Sequence, residues 1–187
     1  MENEIKEAYN VLIKGGVILY PTDTIWGIGC DATNKSAVKK IYEIKKRINS
    51  KALLVLIDSV DQLEYYVDEV PAIAYDLIDL SEKPLTIIYS NAKNVTSELI
   101  APDGTLGIRV TKEIFSMNLC RKLKRPLVST SANISGERSP ANFSEIDHKI
   151  INAVDYVVKY RQDEKESIKA SGILRLDQGG LIKIIRE

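Results

Sequence analysis

Apolar residues recur at helical spacing over residues 2–14, where Ile5, Ala8, Tyr9, Leu12 and Ile13 fall on one stripe, and Gly15 and Gly16 end the pattern. Residues 17–20 are a continuous apolar run of strand length. Pro21, Thr22, Asp23 and Thr24 then break regular structure, followed by Ile25, Trp26 and the spaced glycines Gly27 and Gly29. A helix, a strand and a turn rich in hydroxyls and glycine can turn backbone N–H groups toward a ligand; the alternative is a structural turn that packs Trp26 into the core. A second helix is predicted from about residue 36 to 46, capped by Ser36, with Val38, Ile41, Tyr42 and Ile44 on its apolar side. Residues 53–57 lack polar alternation, which suits a strand covered on both faces.

Residues 60–80 read as two short helical segments separated by Pro71, with Leu63, Tyr66, Val67, Ile73, Leu77 and Ile78 facing inward. Residues 85–90 form another strand, in which Thr86 can point to either face. Gly104 precedes a strand containing Thr105 and Arg109. Burying an unpaired guanidinium costs several kcal/mol, so Arg109 needs an anionic partner, either a protein carboxylate or a ligand carboxylate. A helix over 113–123 leads through Pro126 to Leu127 and Val128, then to the run STSANISG at 129–136. Hydroxyls and an amide at a strand C-terminus stand where open α/β sheets bind ligands, although small hydroxyls also cap helices. A helix at 143–151 capped from Asn142, a strand at 156–158, a mobile loop at 161–170, and two final strands around the turn Asp177-Gln178-Gly179-Gly180 complete the chain. Strands separated by helices, with a late hairpin, predict one α/β domain over 1–187: a mixed sheet with helices packed against it.

The formal charge of the 187 residues is zero, but it is uneven: +2 over residues 1–60, −6 over 61–120 and +4 over 121–187. Both ends of the chain can therefore build a cationic cleft, while no whole-protein field draws it to nucleic acid or to an acidic membrane. Lys45, Lys46, Arg47 and Lys51 crowd the segment KKRINSK. They are either a solvated helix C-terminus, favoured by the helix dipole, or a seat for a polyphosphate. Cys30 and Cys120 lack metal-ligand spacing and the neighbours of an activated thiolate, and His148 reads as a surface residue. No Walker or dinucleotide-binding glycine motif is present. With no membrane-span-length run and no signal-type N-terminus, a cytoplasmic protein is expected. Cations, hydroxyls and an amide are suited to aligning anions for nucleotidyl transfer.

The segments GGVILYPTDTIWGIGCDA at 15–32, IYEIKKRINSKALLVLI at 41–57 and STSANISG at 129–136 resemble the YrdC-like family, specifically its short single-domain threonylcarbamoyl-AMP synthases. The family's Lys-x-Arg and Ser-x-Asn pairs are matched by Lys45 and Arg47, and by Ser131 and Asn133. The resemblance implies a twisted sheet around a concave cationic cavity. It also implies formation of threonylcarbamoyl-AMP and pyrophosphate from L-threonine, bicarbonate and magnesium-bound ATP. The product would pass to the machinery of tRNA N6-threonylcarbamoyladenosine modification. By motif, Lys45, Arg47, Ser131 and Asn133 are the expected catalytic set. Arg47, Lys51, Thr105, Ser131, Ser139 and Arg186 would meet ATP; Thr24 (or Thr22), Arg109, Ser129 and Ser171 would meet threonine. No protein metal ligands are implied. The alternatives are a double-stranded RNA or tRNA-binding module and a non-catalytic assembly partner. The sequence departs from the family pattern at Lys46 and Ile48, which replace Gly and Pro, and at Leu56, where a histidine often stands. Further departures lie at Glu82-Lys83-Pro84-Leu85-Thr86, at Ala170-Ser171-Gly172 and after Arg186.

Overall fold

The apolar runs pair edge to edge in the computed structural model, which describes residues 1–47, 53–165 and 170–187. Lys51 and Ile48, together with residues 166–169 of the expected loop, lie outside the described residues. The strands are β1 (Ile18–Tyr20), β2 (Gly27–Gly29), β3 (Leu54–Ile57), β4 (Leu85–Tyr89), β5 (Leu106–Val110), β6 (Leu127–Ser131), β7 (Tyr156–Val157), β8 (Gly172–Leu176) and β9 (Ile182–Arg186). They form one mixed sheet in the order β7-β1-β2-β6-β3-β5-β4-β8-β9. The helices are α1 (Glu2–Ile13), α2 (Lys35–Ile44), α3 (Leu63–Tyr66), α4 (Ile73–Leu80), α5 (Ile114–Leu123) and α6 (His148–Ala153).

Alternation along the central strands decides what each face carries. On one face, Val55, Ile57, Leu106, Ile108, Val128, Ile87 and Tyr89 join the larger core with Val38, Ile41 and Tyr42 of α2. On the other, Ile18, Tyr20, Leu56 and Leu127 pack under α1 and α5, against Leu12, Phe115, Leu119 and Leu123. Burying each such Leu or Phe contributes about 1.5–3 kcal/mol. This second face is only partly roofed. Its register continues from Leu56 to Leu54, which pairs with Gly107 and Ser129, and these three positions border the cavity described below.

Several expectations are corrected by the structure. Gly27 and Gly29 form a strand rather than a turn. A Cβ on Gly29 would come within 2.5 Å of the Val128 carbonyl oxygen and 2.7 Å of the buried Tyr20 ring, so glycine is what permits this pairing. Asn34, not Ser36, caps α2: its side chain accepts from the Ala37 N–H at 3.0 Å while its backbone is extended. The single helix expected over 143–151 is a 3-10 turn at Phe143–Glu145 followed by α6, which is capped by Asp147 rather than Asn142. The break falls at Ile146, whose extended backbone buries its side chain, while Phe143 packs on Trp26 with ring centroids 4.8 Å apart. Ile73, expected inside, is exposed in the first turn of α4.

The end of α2 sets the position of the Lys-x-Arg segment. The Arg47 N–H donates to the Tyr42 carbonyl at 2.9 Å and the Lys46 N–H to that of Glu43 at 3.0 Å, the paired bonds of a Schellman turn. Lys46 occupies its left-handed position at φ 48°, where glycine is the unstrained residue. That explains why the family pattern carries Gly there. Replacing Lys46 with Gly should raise the unfolding free energy by up to about 1 kcal/mol, since an L-residue pays about 1–2 kcal/mol in this conformation and glycine returns part of the gain as unfolded-chain entropy. Chemical denaturation checks this.

Lys45 turns the other way and is almost fully buried. Its ammonium donates to the carbonyl oxygens of Ser131 and of Asn133, the latter at 2.7 Å, while the Lys45 carbonyl accepts from the Ser135 N–H at 2.9 Å. One residue thus clasps the segment after β6 to the end of α2. Burial, followed by the Arg47 charge, pulls Lys45 down to about 8. Lys45→Met should cost about 1–3 kcal/mol at neutral pH by leaving buried carbonyls without a donor. Between pH 8 and the ordinary lysine value the unfolded chain holds a proton that the folded chain has released. The Lys45 contribution therefore grows with pH across that window, and the stability gap to Lys45→Met should widen. Urea denaturation over a pH series measures it; a flat gap would contradict the downward shift that burial and Arg47 impose on Lys45.

Candidate functional site

A cavity of about 290 Å³ opens on the unroofed part of the sheet. Strand alternation delivers most of its wall. Gly107 and Arg109 come from β5, with Thr105 immediately before it. Ser129 and Ser131 come from β6, Thr86 and Ile88 from β4, and Ser171 and Ile173 from the start of β8. Thr130 of β6, Thr24, Ser139, Arg47 and Arg186 are the other polar residues of the described lining. Three arginines and a ring of small hydroxyls therefore face one hollow, and no carboxylate is among the described lining residues.

Several of the hydroxyls are pre-set by neighbours. In the turn after β1, the Thr22 hydroxyl donates to the Ile25 carbonyl at 2.8 Å and accepts from the Thr24 N–H at 3.0 Å. Thr22 braces the turn from behind, and Thr24 presents to the cavity. Thr105 donates its hydroxyl proton to Asp103 at 2.7 Å, which leaves its lone pairs for a ligand donor. Thr86 and Ser171 share a buried hydroxyl–hydroxyl bond of 3.0 Å. Arg186 is steered by its Nε, which donates to the Ser171 carbonyl at 3.0 Å, and its charge and that of Arg109 oppose one another.

The two expected signature pairs are each divided between two tasks. Arg47 and Ser131 line the cavity, whereas Lys45 and Asn133 lie behind it and do not. Asn133 donates its side-chain amide to the carbonyls of Ile134 (2.9 Å) and Glu137 (2.8 Å), stitching the loop that carries Ser139 past the cavity. The structure thus brings together Thr24, Arg47, Thr105, Arg109, Ser129, Ser131, Ser139, Ser171 and Arg186, and sets Thr22, Lys45 and Asn133 in the supporting layer. Leu56 is fully buried under α5 and contributes nothing to the wall.

Arg109 has a protein carboxylate beside it: its Nη2 lies 3.0 Å from Asp23 Oδ1. In the sequence, Asp23 is marked only as part of a turn, and Thr86 can point to either face. The strand period after Pro84 could have placed Thr86, because Ile87 and Tyr89 alternate into the core. Nothing local marks Asp23, since its partner lies far along the chain. Both cysteines are buried and their thiols are pushed up by that burial, while His148 is exposed. Among the described residues, no helix is long and apolar enough to cross a membrane and no cluster of His, Cys, Asp and Glu could hold a metal ion.

Comparison with known proteins gives this geometry a context. Residues 10–187 match the Sua5–YciO–YrdC family, described as telomere recombination. A threonylcarbamoyl-AMP synthase of Pseudoalteromonas translucida is 34% identical over 160 residues, covering 84% of this chain and 86% of the relative. One from Idiomarina loihiensis is 35% identical over 156 residues, covering 81% and 83%. The crystal structure of P. abyssi Sua5 complexed with L-threonine superposes with a TM-score of 0.83 at 25% identity. That match covers 94% of this chain and 52% of the other, so the chain spans about half the length of that Sua5. E. coli YciO shares the fold with a TM-score of 0.86 at 24% identity, covering 100% of this chain and 90% of YciO. By its sequence over residues 10–187 and by its fold, the chain belongs to the Sua5–YciO–YrdC family.

Proposed function

We propose that the protein is an L-threonylcarbamoyladenylate synthase, converting L-threonine, bicarbonate and ATP to threonylcarbamoyl-AMP and pyrophosphate for tRNA N6-threonylcarbamoyladenosine modification. The observation that carries this reading is the convergence of Arg47, Arg109 and Arg186 with at least six hydroxyl side chains on one cavity, with no carboxylate among its described lining residues. Such a wall suits a dianionic or more highly charged ligand next to a carboxylate, and its described residues include no base to activate a hydroxyl for covalent catalysis. The activity named for the two bacterial relatives accords with it.

In this reading Arg109 takes the threonine carboxylate, with Thr24, Ser129 and Ser171 around the rest of the amino acid. Arg47 and Arg186, joined by Lys51, meet the phosphates, and Thr105, Ser131 and Ser139 meet the nucleotide. The threonine amine combines with bicarbonate to give a carbamate and water. A carbamate oxygen then attacks the α-phosphorus, and the bond to pyrophosphate breaks. The guanidinium groups offset charge as it builds on the phosphates and the leaving group. Magnesium supplies further neutralisation of the phosphates when bound. With hydroxyls but no carboxylate in the described wall, the residues fit a metal that arrives on the nucleotide's own oxygens rather than one held by a protein cage. Lys45 and Asn133 act by holding the Ser131 and Ser139 segment in place.

Pyrophosphate release should require ATP, threonine and bicarbonate together. Arg47→Ala should reduce it on the order of 10²-fold or more while the folded far-ultraviolet spectrum is kept. Near-normal turnover in that variant would remove Arg47 from the mechanism. Binding of tRNA or double-stranded RNA by the wild type without pyrophosphate release would favour a binding module instead.

A further inference from the structure

The ion pair behind the cavity has a use that a purely structural bridge does not require. Arg109 is 2% exposed and sits opposite Leu56 in the middle of the sheet. Its Nη2 approaches Asp23 Oδ1 at 3.0 Å, yet the geometry is off the line of a hydrogen bond: neither Asp23 Oδ1 nor Arg109 Nε has a hydrogen-bond partner among the described residues. The guanidinium is therefore held by charge on one edge while part of its donor set is unspent. Arg109 borders the cavity described above, whereas Asp23 borders a second cavity of about 330 Å³ with Lys83, Lys112, Glu113 and Arg161. Asp23 thus stands on the far side of Arg109 from the first hollow.

Asp23 is itself fixed from behind. Arg161, with a left-handed backbone at φ 66°, donates through Nη1 to the Thr22 carbonyl at 3.1 Å, lies 3.5 Å from Glu113 and pairs with Glu164 at 2.7 Å. The charges facing Asp23 are Arg109, Glu113 and Arg161. Glu113 and Glu164 hold Arg161, Arg161 holds the turn that carries Asp23, and Asp23 holds Arg109 against the repulsion that Arg186 exerts across the cavity.

We propose that Asp23 is a positioning residue for substrate-carboxylate recognition, holding the Arg109 guanidinium so that its unspent donors meet the carboxylate of the amino acid. This rests on the synthase reading given above. A carboxylate bound by a fixed fork gains two parallel charge-assisted bonds, whereas one bound by a loose guanidinium gains fewer at a higher entropic cost.

Steady-state pyrophosphate release by wild type, Asp23→Asn and Asp23→Glu, with threonine and ATP varied separately, tests it. Asp23→Asn should raise the threonine KM by about 10- to 100-fold, the range controlled by a hydrogen bond to a charged group. The KM for ATP and kcat at saturating threonine should stay within about two-fold, well below that range. Asp23→Glu, which keeps the charge, should fall between Asp23→Asn and wild type. In an Arg109→Lys background, Asp23→Asn should have little further effect on the threonine KM, because the group it positions is gone. Should Asp23→Asn not fold, Asp23→Ser is measured in the same way. An unchanged threonine KM in a folded Asp23 variant, or equal rises for threonine and ATP, overturns the inference and leaves the proposed function standing. A wild-type protein with no threonine-dependent pyrophosphate release overturns the function and this inference with it.

Discussion

A positive charge in the middle of a β-sheet constrains everything around it. Arg109 lies in β5 between the apolar strands β3 and β4, where too little of it meets water to repay its hydration. The turn after β1 brings Asp23 to it, Arg161 secures that turn from the other side, and α1 and α5 stop short so that the remaining edge of the guanidinium opens on a hollow. The alternating charges Arg161, Asp23 and Arg109 connect three distant parts of the chain. Without such an arrangement the cavity would lose its central cation or the sheet its continuity.

The second organising device is the division of labour within each short motif. Residues two apart on a strand share a face, so Ser129 and Ser131 both reach the cavity. Beyond the Schellman turn, Lys45 and Arg47 instead diverge, one back into the protein and one into the hollow. Asn133 follows Ser131 past the end of β6 and turns inward to bind the loop's own carbonyls. A buried lysine that donates to main-chain oxygens specifies which loop conformation is adopted, since few others would satisfy it.

Much of this was legible in the sequence because strands and helices write their period into it. The α1 stripe, β3, the β8–β9 hairpin and the hydroxyl-rich end of β6 were placed within a residue or two of where they lie. The polar positions Thr105 and Arg109, separated by apolar Leu106 and Ile108, already encode a cavity face backed by core. What could not be read were features set by partners distant in the chain. Gly29 looks like a turn residue until the Tyr20 ring and the Val128 carbonyl are seen to need its space. Lys45 looks like one more surface cation until its two carbonyl acceptors, about 90 residues away, are known. The Asp23–Arg109 contact is likewise a product of topology rather than of local pattern.

Arg186 reaches the cavity from β9, the last strand of the sheet, which pairs with β8 alone among the described residues and exposes Leu181, Ile182, Ile184 and Ile185 around it. A strand with so little covering it opens locally at a free-energy cost well below that of the whole domain. Detachment of this hairpin arm and loss of one cavity guanidinium are thus a single event. By mass action, any anion gripped by Arg186 lends its binding energy to the closed arm, so occupancy of the hollow and order at the chain's far edge rise together.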